Sequence, residues 1–351
     1  MTLSDLRREA AQRWLQSLPL AQPETLAPAS ADASFRRYFR VRYGTSGGTA
    51  ILMDSPPDRE PVEPFLRVQG LFLKAGLRAP KTLAELTQDG FLLLEDFGQT
   101  TLLQALENTK FAPEPANAFY QAAQKALIEL QVWSLEAGRA AIGVLPAYDA
   151  QRLQDEMRLF PTWYLEKHLQ LCLSDAEKAV LERTEAFLVE RALAQTAVLV
   201  HRDYHSRNLM VDADRPWEAP GILDFQDAVI GPITYDLVSL LRDAYVQWPE
   251  ATQMDWAIRY WQDARAAGLP LAEDFADFYR DFEYMGLQRH LKVLGIFARL
   301  SIRDGKDGYL KDIPKVLKDA QQVANRYLEL APLARLLRRA EGMVSQAVYS
   351  F

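Results

Sequence analysis

The chain has 351 residues, 49% of apolar types and 25% charged, which fits a soluble globular protein of about two domains or lobes and excludes a collagen-like or broadly disordered chain. Its net charge of −7 has the wrong sign for a general nucleic-acid binder, which needs a basic footprint. The single cysteine, Cys172, excludes an intramolecular disulfide and a cysteine-based zinc site, and four histidines leave little for a histidine-rich one.

Met1 to Leu20 reads as an amphipathic helix carrying Arg7, Arg8, Glu9 and Arg13. It lacks the long apolar run and small-residue cleavage site of a secretory signal. No stretch approaches the ~20 apolar residues of a spanning helix, so a cytoplasmic protein with no membrane contact is expected. The Pro- and Ala-rich stretch Ala21 to Ala31 reads as a connector. Phe35 to Tyr43 is aromatic and β-branched, a strand pattern. With the turn Gly44 to Gly48 and a second strand from Thr49, it predicts a hairpin. Phe65, Val68, Leu71, Phe72 and Ala75 recur at helical spacing within Val62 to Ala75, and Gly76 supplies the stop. Strands follow around Lys81 to Leu86 and Phe91 to Glu95, parted by the turn dipeptide Asp89-Gly90.

Beyond Leu102 the pattern turns helical: Leu102 to Leu106, Pro115 to Ser134, Asp149 to His168 and Asp175 to Ala194. A strand-and-loop region, Val198 to Phe225, interrupts the helices, which resume from Tyr235. The expected class is α+β: an antiparallel sheet lobe over residues 1–97 and a larger, mostly helical lobe over 98–351.

Chemistry concentrates between Val198 and Asp236. His201-Arg202-Asp203 is followed by Asn208, with apolar triplets on both sides: H-R-D-x-x-x-x-N, the catalytic-loop pattern of kinases. Sixteen positions on, the short apolar strand before Asp224-Phe225-Gln226 ends in an acid. Phosphoryl transfer needs positioning and charge neutralisation more than covalent chemistry. Asp203 suits the carboxylate that accepts the proton of an attacking hydroxyl. Asn208 and Asp224 offer the hard oxygens that Mg²⁺ prefers. His201 reads as a structural residue of the loop. Asp236 either caps the next helix or bonds backbone amides of the loop. Only a dozen positions part Asp224 from Asp236, too few for the activation segment of a protein kinase, so the substrate should be a small molecule.

These residues resemble the aminoglycoside phosphotransferase and choline kinase superfamily. Ser34 to Arg40, Phe91 to Asp96, Gly143 to Asp149, His201 to Met210, Leu223 to Ala228, Gly231 to Asp236 and Gln288 to Arg299 resemble one branch more closely, the anomeric N-acetylmuramate/N-acetylglucosamine kinases of bacterial cell-wall recycling. The resemblance implies a bilobal protein-kinase-like fold, ATP or another nucleoside triphosphate, and Mg²⁺. It makes Asp203 the catalytic base and Asn208 and Asp224 the metal ligands. Glu95, Asp96 and Phe97 would form the connector that meets adenine, with Met210 and Leu223 on its faces.

Two departures stand out. Small residues, Ser30 to Ser34, replace a glycine-rich phosphate loop, with Ser34 a candidate phosphate contact. The strand Thr49 to Asp54 lacks the usual lysine. Strand alternation sets the charge of Arg37 on the face of Phe39 and Val41. Arg37 is either the replacement cation or a salt-bridge partner, for example of Glu63.

On the acceptor side, Arg289, Lys292, Arg299 and Arg303 form a basic stripe along Met285 to Ile302, opposite Leu287, Leu291, Leu294 and Phe297. The stripe is either a solvated face or a site for a carboxylated sugar. His205, Arg207, Gln226 and Asp227 are candidate sugar contacts by proximity to the catalytic loop. Trp163 and Tyr164 are read as core aromatics in preference to a sugar platform. A kinase of another small alcohol, or a nucleotide-binding interaction module without turnover, are the alternatives. The oligomeric state is open.

Overall fold

The computed structural model describes residues 3–30, 35–45, 47–138 and 142–348. Helix α1 (Leu3–Gln16) leads into strands β1 (Ala21–Ser30), β2 (Arg37–Tyr43) and β3 (Thr49–Asp54), helix α2 (Glu63–Lys74), and strands β4 (Thr82–Leu86) and β5 (Phe91–Glu95). They form one antiparallel sheet in the order β1-β2-β3-β5-β4. Both faces are covered, which is why β5 reads Phe-Leu-Leu-Leu without alternation. Ala50, Leu52, Phe91 and Leu93 pack under Ala11 and Leu15 of α1. Met53, Leu92 and Leu94 face Phe65, Val68 and Phe72 of α2, in a core that continues into the helical body.

The connector expected at Ala21 to Ala31 is instead the edge strand β1 up to Ser30. Its pairing with β2 shifts register between Gln22 and Ala27 and again between Pro28 and Ser30. Thr25 fills the first irregularity: its hydroxyl accepts from the Arg42 amide at 2.8 Å and donates to the Gln22 carbonyl. Prolines are tolerated there because an edge strand leaves half its amides unpaired.

The helical body comprises α3 (Leu102–Asn108), α4 (Pro113–Glu136), α5 (Ala150–Met157), α6 (Asp175–Leu193), α7 (Tyr235–Leu241), α8 (Glu250–Ala266), α9 (Phe275–Asp304), α10 (Ile313–Arg326) and α11 (Ala331–Val348). Short strands β6 (Ala197–Val200), β7 (Leu209–Met210), β8 (Gly221–Ile222) and β9 (Val229–Pro232) pair as β6-β9 and β7-β8. The helix expected over Asp149 to His168 is two pieces. After α5 the chain widens into π-helical turns at Phe160–His168, where Pro161 cannot donate to an α-helical ladder. Tyr164 is buried core, and Lys167 sits 3.6 Å from the centroid of the Trp163 ring.

Sheet gives way to helix between Glu95 and Leu102. Helix α9 runs through the helical body, buried on almost every side from Phe282 to Ala298. Its Gly295 lies against the backbone of Leu159, where an added Cβ would stand 2.3 Å from the Leu159 carbonyl carbon. Backbone cannot yield as a flexible side chain does. Gly295→Ala is therefore expected to cost about 2–3 kcal/mol of stability, read as a lower urea midpoint; an unshifted midpoint would show that the π-helical segment moves freely.

Candidate active site

The catalytic loop joins β6 to β7. Arg202 turns it through a left-handed backbone, φ +77°, costly for a residue with a Cβ. Asp236, buried at the start of α7, holds that turn. One carboxylate oxygen accepts from the His201 amide at 2.6 Å and the other from the Arg202 amide at 2.9 Å. Of the two roles open for Asp236, the structure shows the backbone clamp. The Arg202 carbonyl accepts from Arg289 Nη1 at 2.8 Å and from Ser239 Oγ at 3.3 Å. His201 is buried and structural, as expected. Its Nε2 bonds the Leu223 carbonyl at 2.8 Å and its Nδ1 accepts the Asp203 amide at 3.1 Å. Burial pulls its pKa down to about 4.

Asp203 emerges from this turn with 37% of its side chain exposed. Desolvation by its surroundings pushes its pKa up, but Lys292, Arg289, His205 and Arg202 together hold it well below the usual carboxylate range. Arg289 Nη2 stands 3.7 Å from Asp203 Oδ1. The carboxylate is thus ionised at any physiological pH and accessible to a hydroxyl.

Asn208 and Asp224 meet beside it. Asn208 Nδ2 donates to the Asp203 carbonyl at 2.9 Å and lies 3.2 Å from Asp224 Oδ2. Gln226 Nε2 donates to Asp224 Oδ1 at 2.7 Å. Asp224 is itself left-handed, φ +61°, a strained conformation of the kind that collects at functional sites. An amide oxygen and a carboxylate fit Mg²⁺, which takes few protein ligands and fills its shell with water and phosphate oxygens.

The nucleotide-side candidates divide. Met210 pairs with Gly221 across β7-β8, Leu223 follows β8 with its amide on the Asn208 carbonyl, and the Phe97 ring covers Gly221. Asp96 does not face a ligand: Arg40, Thr49 and the Gly98 amide occupy its carboxylate. The Glu95 amide is spent on the Lys81 carbonyl. Ser34 lies outside the described residues. Arg37 is not a replacement for the missing lysine. It points to the α1 face, where it and Arg7 bind the buried Asp54. Arg37 and Asp54 are direct cross-strand partners, so the salt-bridge alternative holds with a different acid from Glu63.

The basic stripe of α9 is neither a solvated face nor one continuous site. Arg289 is buried behind Asp203 and is committed to the Arg202 carbonyl and, at 3.2 Å, to the Tyr235 hydroxyl. Lys292 bonds the Tyr235 hydroxyl at 3.1 Å and Glu156 Oε1 at 3.1 Å. Arg303 is exposed and pairs with Asp304. Lys292 and Arg299 reach a cavity of about 620 Å³ between α5 and α9, which Arg152, Glu156 and Arg202 also line. That volume suits a small-molecule ligand. A smaller cavity of about 260 Å³, lined by Gln226 and Asp227, shares Arg152 and Arg202 with it. His205 packs edge-on against Tyr245, with its Nδ1 buried and without a hydrogen-bond partner. Arg207 is exposed and lies over the rings of Tyr245 and Tyr309, outside both cavities.

Sequence reasoning missed Glu156. It binds Arg202, Lys292 and the Tyr148 hydroxyl. Burial alone would raise its pKa, yet Lys292 and Arg202 lower it. The available signal was an acid at helical spacing among Leu153 and Met157, on the buried face of its helix.

An ionised aspartate, presented with two further oxygen donors on loops beneath a small antiparallel sheet, is how kinase-type phosphotransferases offer a base to an incoming hydroxyl. The fold and site define a protein of that class. The model of the phosphotransferase enzyme family matches residues 25–278, and the chain belongs to that family. It is 46% identical over 326 residues to an N-acetylmuramate/N-acetylglucosamine kinase of Neisseria meningitidis, covering 93% of each chain. A protein of the same name from Pseudomonas aeruginosa is 45% identical, with 90% of this chain and 88% of that one covered. Among solved structures, the GDP complex of aminoglycoside 2'-phosphotransferase-IIIa shares the fold at TM-score 0.62 and 13% identity, over 93% of this chain and 100% of the other. Among the described residues no helix is long and apolar enough to cross a membrane.

Burial raises the pKa of Asp236 to about 7, against the pull of the two loop amides. The folded protein then binds this proton near pH 7 and the unfolded chain near 4, so acidification from pH 8 to 5 adds stability through Asp236. Asn cannot take that proton. The penalty of Asp236→Asn, by urea denaturation, should be about 2–3 kcal/mol larger at pH 5 than at pH 8. Equal penalties would place the carboxyl's titration at its ordinary value.

Proposed function

We propose that the protein transfers the terminal phosphoryl group of ATP to N-acetylmuramate and N-acetylglucosamine, at the anomeric hydroxyl, in the cytoplasmic recycling of cell-wall sugars. The observation that carries this reading is Asp203: ionised, accessible, and flanked by two residues, Arg202 and Lys292, that also line a sugar-sized cavity. The names of the Neisseria and Pseudomonas relatives supply the sugar, and the GDP complex of the aminoglycoside enzyme supports a nucleotide as donor.

The acceptor sugar lies in the cavity with its hydroxyl toward Asp203. As the hydroxyl oxygen bonds to the γ-phosphorus, the bond from phosphorus to the β-phosphate oxygen breaks, the nucleoside diphosphate leaves, and the hydroxyl proton passes to Asp203. So acidic a carboxyl is a weak base, and it takes the proton only once the oxygen–phosphorus bond is forming, as a loose transition state allows. Arg289 keeps the carboxylate ionised and its loop in place. Asn208 and Asp224 would hold Mg²⁺, which when bound neutralises phosphate charge. Met210 and Leu223 form the apolar floor for adenine, and the backbone of residues 96 and 97 supplies its polar edge.

The direct test is ATP consumption against a panel of free sugars, with the product phosphate placed by NMR; no turnover of either N-acetyl sugar would end this reading. Asp203→Asn should lower kcat by about 10²-fold or more while nucleotide affinity stays within a few-fold. A variant with near-normal kcat would remove Asp203 from its role. Asp224→Ala should raise the Mg²⁺ concentration needed for half-maximal nucleotide binding by about tenfold or more, measured by titration calorimetry. An unchanged magnesium dependence would take Asp224 out of the metal site.

A further inference from the structure

Two cations in the large cavity have no ion-pair partner among the described residues. Helix α9 presents Lys292, Ile296 and Arg299 to it, and α5 presents Arg152 and Glu156. Glu156 is fully used: Lys292, Arg202 and Tyr148 bind its two oxygens. The other acids of the wall are also engaged. Asp149 caps α5 through the Arg152 amide, and Asp155 takes Gln151 and Arg158. Among the described residues, the guanidinium groups of Arg152 and Arg299 form no ion pair and donate no hydrogen bond. Arg299 is partly buried with its Nε shut off from solvent and unpartnered. Burial, and the like charge of Arg303, pull its pKa down against the opposing pull of Asp304. A cation desolvated in this way costs free energy until an anion arrives.

We infer that Arg299 and Arg152 form an anion subsite in the acceptor cavity, which takes the carboxylate of an acidic acceptor sugar and favours it over the neutral one. The inference rests on the amino-sugar reading above. N-acetylmuramate differs from N-acetylglucosamine by a lactyl ether, whose carboxylate projects from the ring away from the reacting hydroxyl. Arg299 is seven residues past Lys292, about 10 Å along the helix axis. Long helical side chains lean toward the N-terminus, which brings its guanidinium back toward Lys292 and Glu156. Arg152 enters from the opposite wall, so a carboxylate between the two helices can take two charge-assisted bonds. This narrows the basic stripe: Arg299 with Arg152 reads the carboxylate, while Arg289 and Lys292 serve Asp203 and Glu156.

The test compares kcat/KM for N-acetylmuramate, its lactyl methyl ester and N-acetylglucosamine in wild type, Arg299→Met and Arg152→Met. Methionine keeps the apolar stem and removes the charge. The expected result is that each variant lowers the N-acetylmuramate to N-acetylglucosamine ratio by about tenfold or more, and that wild type loses a similar factor on the ester while the variants no longer distinguish ester from acid. A ratio unchanged in both variants, or variants that still discriminate against the ester, would overturn the subsite. A melting temperature for each variant separates loss of fold from loss of selectivity. Failure of the amino-sugar reading itself shows earlier and differently, as wild-type protein that phosphorylates neither sugar; that outcome removes the inference with it.

Discussion

The site depends on one strained peptide turn. Arg202 sits in a backbone region that costs about 1–3 kcal/mol for a residue with a side chain, and only this turn directs Asp203 outward from the end of a buried strand. The structure grips the Arg202 backbone on both polar groups and its side chain through the guanidinium tip. Asp236 takes the amide, Arg289 and Ser239 give to the carbonyl, and Glu156 binds the guanidinium. Asp236 and Arg289 are themselves buried charged or polar groups, expensive to desolvate and tolerated where well partnered. Their placement at the turn explains why helix α9, a long helix through the helical body, carries an arginine and a lysine inward.

The loop that carries Asp224 depends on the other lobe. Phe225, next to Asp224, packs on Phe65 and Phe72 of α2 with ring centroids 4.8 and 5.3 Å apart. Phe72 in turn meets the edge of His201, which bonds the Leu223 carbonyl. A rotation of α2 would therefore reach Asp224 through a single aromatic contact, and the catalytic loop through a second. On the connector side, Phe97 covers Gly221 so closely that a Cβ there would stand 2.3 Å from the ring. Arg78 lies over the same ring and bonds the Ala219 carbonyl. The two lobes thus meet through packed rings around the Asp224 loop, which ties the placement of that loop to the packing between them.

How much of this was legible follows from which constraints are local. That Asp203, Asn208 and Asp224 would come together could be read because phosphoryl transfer fixes both residue type and spacing. The face that Arg37 shares with Phe39 and Val41 on β2 followed from alternation. Strand β1 was hidden because an edge strand tolerates proline, and its pairing is interrupted by a bulge that no periodicity reveals. Alternation sets Arg37 on the right face and leaves two duties open, of which the structure shows the salt bridge, with Asp54 in place of Glu63. The hairpin register that sets it opposite Asp54 was in principle readable, since cross-strand neighbours of opposite charge attract. The α9 stripe misled for a different reason. Periodicity treats charge as a mark of solvent, but Arg289 and Lys292 find partners on α5, α7 and the catalytic loop, none of which lies within a helical turn of them in sequence.

The charge distribution around Asp203 joins these points. An acidic protein concentrates Arg202, Arg289 and Lys292 around one carboxylate, and their mutual repulsion is offset by Glu156 as well as by Asp203 itself. An aspartate with its pKa held so low gives up proton affinity and gains certainty of being ionised. That exchange suits a reaction in which the nucleophile's proton leaves late and the main demand is to steady negative charge on the moving phosphoryl group. It also sets a condition on the wall opposite. Glu156, held ionised by Lys292 and Arg202, in turn occupies both of them, which leaves Arg299 and Arg152 as the cavity cations without an ion pair among the described residues.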